Sequence, residues 1–222
     1  MLLQDVLDRE LELKNNFNKV IIGIGNVPQT LVPKSYTHRN NLDSFFQFNQ
    51  GENAMDQSKI FADGVYTSDI DNVYAVKEYL LDVLTDFFGE YSLQHSLSFI
   101  LKELLIENFS SFSKKIFVHT ESQYLDVFCF QKDQLLLSNT YRYREAEDYL
   151  YFIINAARQI DFDFNNDDLV LLGDIEKSDK VYRLAQQYFA NVKLSEQPTS
   201  KTYCPELKAL PSQLYYNLYS IY

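Results

Sequence analysis

Tryptophan is absent from this 222-residue chain, glycine occurs six times, proline five times and cysteine twice. Each shortage excludes something. Few glycines leave few places where a backbone can approach a ligand closely, which argues against a phosphate-cradling enzyme. The two cysteines, Cys129 in an apolar run and Cys204 beside Pro205, stand about 75 residues apart. That spacing builds neither a disulfide framework nor a CxxC zinc pair, and it fits a reducing compartment. Cations are also short: 20 Lys+Arg face 31 Asp+Glu, a net charge of -11. Such a surface repels a phosphate backbone, so no nucleic-acid partner is expected. No stretch approaches the roughly 18 apolar residues of a membrane span. The opening segment, residues 1–14, mixes charge into its apolar residues at helical spacing instead of forming a signal core. These features predict a soluble, cytoplasmic protein with no membrane insertion.

What the chain has is aromatic bulk, with 17 Tyr and 17 Phe in a sequence that is 46% hydrophobic. That is ample for a core filled by ring packing. Residues 2–15 place Leu3, Val6, Leu7, Leu11 and Leu13 largely on one side of a helix. A β-branched run follows at 19–25, ended by Asn26 and Pro28, and reads as a buried strand. A second short strand is expected at 30–33 and a helix at 41–48. The polar stretch 50–59 reads as an exposed loop. Residues 71–76 are strand-like, and 77–88 form a helix stopped by Gly89, whose freedom at positive φ suits a helix end. Ser96 is expected to cap a helix running to about residue 107.

The second half is more regular. Three β-rich runs, 115–120, 123–131 and 134–142, are joined by the short turns Glu121-Ser122 and Lys132-Asp133, the pattern of a meander. A helix over 145–159 carries apolar residues at helical spacing. Residues 169–172 suit a covered parallel strand, Ser178 is expected to cap a helix to about residue 190, and 192–194 form a last strand. The order strand, strand, strand, helix, strand, helix, strand is that of the RNase H-like fold and of each half of an actin-like protein.

Particular residues point the same way. The segments Thr30-Leu-Val-Pro-Lys-Ser-Tyr36, Ile116-Phe-Val-His-Thr-Glu121, Leu125-Asp-Val-Phe128, Leu135-Leu-Leu-Ser-Asn139, Ala146-Glu-Asp-Tyr-Leu-Tyr151 and Leu172-Gly-Asp-Ile-Glu-Lys177 resemble an uncharacterised Bacteroidetes family, a domain of unknown function. The resemblance spans nearly the whole chain and ends in Leu210-Pro-Ser-Gln-Leu-Tyr215. It implies an α/β protein with an actin-like ATPase (RNase H-like) fold, two similar halves with mixed sheets flanked by helices. Residues 1–112 would be the first half and 113–222 the second. Members of that family open with an extra strand hairpin, so the resemblance also implies a first half lacking it. In actin-like ATPases that hairpin supplies a phosphate loop.

Actin-like ATPases need a glycine-containing acidic turn between the first two strands of each half, where backbone N–H groups meet phosphates and a carboxylate holds Mg²⁺. Here the turn is His119-Thr-Glu-Ser-Gln123, without glycine, and the later adenosine turn keeps one glycine in Gly173-Asp174. If ATP and Mg²⁺ bind, His119, Thr120, Glu121, Gly173 and Asp174 are the residues to hold them. An RNase H-type nuclease would need carboxylates converging on metal ions, and Asp126, Glu147 and Asp174 are the candidates. His38, His95 and His119 are too far apart for an HExxH-like metal helix. Asp63-Gly64 and Asp69-Ile-Asp71 read as turns, because the EF-hand order is missing. Gly23-Ile-Gly25 lacks the third glycine of a dinucleotide fingerprint. Ser195 and Cys204 lack an activating partner, so no catalytic residue and no metal site are assigned. The aromatic carboxyl terminus, 214–222, is expected to pack back on the core as a helix. The leading expectation is a non-catalytic scaffold or adaptor that binds another protein without a cofactor. The alternative is a nucleotide-binding ATPase or switch.

Overall fold

The structure, a computed structural model, describes residues 3–37, 42–51, 55–65, 68–109 and 112–221. Contacts divide the chain into two units, Met1–Phe99 and Ile100–Tyr222.

The first unit begins with α1 (Leu3–Arg9). The expected single helix ends early: Glu10 turns extended and Leu11–Lys14 winds as a 3-10 turn. The cause is a failed stripe, since Leu11 is 76% exposed and has no core to continue into. Two parallel strands, β1 (Ile21–Ile24) and β5 (Ser92–His95), pair with each other. Between them in sequence lie β2 (Gln29–Pro33), the short α2 (Lys34–Thr37), α3 (Leu42–Gln50), β3 (Ser58–Gly64), β4 (Ile70–Lys77) and α4 (Glu78–Phe88). The strands β2, β4 and β3 form an antiparallel sheet in that order. Its core joins Val32, Val73 and Ala75 to Phe46 of α3. Gly89 ends α4 at φ 70°, its N–H donating to Thr85 O, as expected of glycine there.

Strand β3 takes Ser58 and Lys59 from the end of the loop expected over 50–59 and replaces the turn expected at Asp63-Gly64. Its apolar residues Ile60 and Phe61 sit among polar neighbours, which hid the strand. Asp63 is a strand residue whose carboxylate accepts from the His95 N–H (2.7 Å) and the Tyr74 hydroxyl (3.1 Å). Burial pushes its carboxyl up from the usual range, against those hydrogen bonds. Helix α5 (Ser96–Asn108) follows β5, and its first turn is capped by His95 rather than Ser96. The Leu97 N–H donates to His95 Nδ1 at 3.1 Å. His38 and residues 52–54 lie outside the described residues.

The second unit carries β6 (Lys114–Glu121), β7 (Tyr124–Gln131), β8 (Gln134–Arg142), α6 (Ala146–Gln159), β9 (Asp168–Gly173), α7 (Lys180–Tyr188) and β10 (Asn191–Leu194). The sheet order is β10-β9-β6-β7-β8, with an antiparallel meander β6-β7-β8 and parallel β9 and β10. The parallel pair β9 and β10 is joined through α7. Tyr149, Leu150, Ile153, Ala156 and Ala157 of α6 pack on Ile116, Val118, Leu125 and Val127. Full burial of each large apolar side chain there stabilises by about 1.5–3 kcal/mol. The first hairpin turn is Ser122-Gln123, one residue later than expected, with Ser122 at φ 55°. Helix α7 starts after Asp179, not Ser178, and the Asp179 carboxylate accepts from the Glu176 N–H at 2.8 Å.

The carboxyl-terminal segment adds α8 (Pro205–Lys208) and α9 (Tyr216–Ser220), the latter burying Tyr216, Tyr219 and Ser220. It is fastened by polar contacts. Glu103 of α5 is buried and accepts from Lys201 Nζ (2.9 Å) and Ser200 Oγ (2.6 Å). Lys201 also donates to Tyr219 O, and Tyr219 OH to Leu207 O.

One turn along α5, burial pushes the Glu107 carboxyl up to about 7; the Tyr216 hydroxyl opposes this, the Glu103 and Glu196 charges add to it and Lys115 opposes it. Below the ordinary value of 4.5 the carboxyl is protonated folded or unfolded and costs nothing. Between about 4.5 and 7 the folded chain holds the extra proton, so stability falls as pH rises, and above 7 the whole penalty is present. Discounted for partial exposure, that penalty is on the order of 2 kcal/mol. Glu107→Gln is therefore expected to raise the melting temperature at pH 8 and leave it nearly unchanged at pH 4. A variant with the wild-type pH profile would contradict this.

Candidate functional site

At the carboxyl ends of β6 and β9, in the second unit, Thr120 stands beside Gly173 in register. Gly173 has φ +87°, and a Cβ placed on it would lie 2.0 Å from the Thr120 carbonyl oxygen. Only glycine fits. That carbonyl accepts from the Asp174 N–H (2.8 Å), the Gly173 N–H donates to Gln213 O (2.8 Å), and the Ile175 N–H donates to Gly173 O (2.7 Å). Three successive backbone donors are thus engaged inside the unit.

Side chains close the same corner. Thr120 Oγ1 and the Tyr149 hydroxyl, both buried, share a 2.7 Å hydrogen bond. Tyr149 sits in the first turn of α6, where Asp148 Oδ2 accepts from the Arg144 N–H and fixes the helix entry. Tyr143 meets Tyr149 edge to face at 5.1 Å, and its hydroxyl donates to Ser122 O at 2.9 Å. Burial raises the Tyr149 hydroxyl above its ordinary range, and the Thr120 bond works against this. Burial also raises Tyr143, helped by the charges of Asp174 and Asp179.

Of the residues singled out in the sequence, Thr120, Gly173 and Asp174 come together. His119 does not join them. Neighbours on a strand face opposite sides, so while Thr120 meets α6, His119 turns to the other face. There its Nδ1 lies 3.1 Å from Asp126 Oδ2, and Asp126 Oδ1 accepts from Thr140 Oγ1 at 2.6 Å. Glu121 closes β6 opposite Tyr124. The nuclease candidates are separated by their partners: Asp126 belongs to His119 and Thr140, whereas Glu147 is exposed and ion-paired with Lys180. Among the described residues no three His, Cys, Asp or Glu side chains could hold a metal ion together. Sequence reasoning missed Tyr149, Tyr143 and Gln213, because tyrosine at helical spacing reads as core and a backbone acceptor leaves no composition signal.

Among the described residues, cavities lie elsewhere. One of about 740 Å³ in the first unit is lined by Leu13, Phe17, Lys19, Phe87 and Tyr91. Another of about 470 Å³ in the second unit is lined by Tyr141, Tyr151, Phe152 and Arg158. Among the described residues no helix is long and apolar enough to cross a membrane.

Known structures share this architecture. A protein from Bacteroides thetaiotaomicron VPI-5482 with an actin-like ATPase fold and unknown function superimposes with a TM-score of 0.79 at 18% identity, covering 87% of this chain and 74% of that one. A chain of the PilM-PilN type IV pilus biogenesis complex superimposes with a TM-score of 0.54 at 10% identity, again over 87% and 74%. At these identities the likeness establishes the fold. No curated protein matches the sequence. The model of a family described as "Protein of unknown function (DUF3822)" matches residues 1–192. With its mixed sheets, flanking helices and actin-like ATPase fold, the chain belongs to the DUF3822 family.

Proposed function

We propose that this protein is a non-catalytic actin-like scaffold or adaptor that binds another protein. The observation that carries the reading is the closed corner at Gly173. A nucleotide on this fold needs free backbone N–H groups at the turns that hold it, and at the later, adenosine-side turn those of Gly173, Asp174 and Ile175 already donate within the unit. The backbone donors of that turn are therefore taken, which supports a reading without a nucleotide. The PilM-PilN complex supports the reading from another side, since a protein of this fold was solved there with a protein partner.

Titration calorimetry of the purified chain with Mg-ATP tests the reading. It predicts no binding heat up to millimolar nucleotide. Saturable binding at micromolar levels would overturn it in favour of an ATPase or switch, with Thr120, Glu121, Gly173 and Asp174 as its contacts.

A further inference from the structure

The second unit's sheet has two outer strands, and they are built differently. Strand β10 is four residues long and carries Lys193 in its middle, ion-paired with Asp168. Short edges bearing lysine resist pairing with other chains. Strand β8 is nine residues long, Gln134–Arg142, without proline or glycine and without a charge before Arg142. Among the described residues its strand neighbour is β7 alone. Leu136 on it is 41% exposed. In a chain of net charge -11, an uncharged edge of this length is a template for pairing.

We propose that β8 joins two copies of this chain, antiparallel and edge to edge, into a continuous sheet. The Tyr143 N–H donates to Gln123 O on the β7 side. Alternation along an antiparallel strand then turns the backbone groups of Arg142, Thr140 and Ser138 outward. A two-fold axis at Ser138 makes the contact self-complementary. Ser138 stands opposite Phe128, and Arg142 opposite Tyr124, four residues along β7. The register shift near Phe130 absorbs one residue of β8, so Asp133 in the turn lies an equal distance the other way. Each copy's Asp133 thus meets its partner's Arg142. The pairing joins opposite charges at both ends of an otherwise uncharged seam. Asp133 is exposed and forms no ion pair among the described residues, and Arg142 donates only to Gln123 Oε1, at 3.2 Å.

Sedimentation velocity with light scattering tests this, up to about 100 µM chain. The wild type is expected to run at twice 26.1 kDa. Asp133→Arg alone and Arg142→Asp alone each set like charges together, and each is expected to weaken the dimer at least about tenfold. An equimolar mixture of the two variants restores opposite charges at both contacts and is expected to dimerise again. Ser138→Pro, which removes an outward N–H at the two-fold axis, is expected to stay monomeric with a wild-type circular dichroism spectrum. A monomeric wild type, single variants that remain dimeric or a mixture that fails to recover would each overturn the proposal.

Discussion

Gly173→Ala is expected to destabilise the protein by about 3 kcal/mol or more, a large loss for one added methyl group. The new Cβ would lie 2.0 Å from the Thr120 oxygen and 2.9 Å from the Thr120 carbonyl carbon and nitrogen. These are backbone atoms inside the β6 and β9 ladder, so neither side can yield without breaking the register Thr120↔Gly173. The positive φ adds strain of its own. Gly89→Ala separates the two effects, because Gly89 also has positive φ, at +70°, but nothing within 4 Å of the added carbon. That variant is expected to lose only about 1 kcal/mol. Urea denaturation of both variants checks the pair. Equal losses would mean that conformation alone, and not the close approach, demands glycine at 173.

Lys201→Ala is expected to cost about 3 kcal/mol, because it leaves a charge stranded. The Glu103 side chain is 1% exposed and Lys201 19%, at 2.9 Å. Removing the ammonium strands a buried carboxylate with Ser200 as its remaining donor. The bridge from Lys201 to the Tyr219 carbonyl goes too, loosening α9. Lys193→Ala offers the contrast: that lysine is 59% exposed in its pair with Asp168, and its loss is expected to change stability by under about 1 kcal/mol. Thermal melts of the two variants at pH 7 distinguish them. A Lys201→Ala melt within a degree or two of wild type would contradict a charge dependent on that lysine.

The second unit was the more legible part of the sequence. Its three strand runs are separated by two-residue turns, and α6 repeats apolar residues at helical spacing, so local and long-range signals agree. Strand β3 was hidden because Lys59, Asp63 and the polar residues before it read as loop, while the partners that make it a strand lie in β4. The corner at Thr120 and Gly173 was readable as two separate turns. That it closes on itself was not, because this depends on hydrogen bonds to Thr120 O and Gln213 O that no residue type announces. Strict alternation along β6 already implied that His119 and Thr120 could not face one ligand together. The aromatic carboxyl terminus reads as core-seeking, and its Tyr216 and Tyr219 are buried as expected.

If the Gly173 corner is closed to nucleotide, the most direct measurement of it is a nitrogen-edited proton spectrum of the labelled protein with and without millimolar Mg-ATP. The account predicts slowly exchanging amides at Gly173 and Asp174, with shifts that nucleotide leaves in place. Fast exchange of those amides, or saturable shifts of the Gly173, Asp174 and Ile175 signals on adding Mg-ATP, would contradict it.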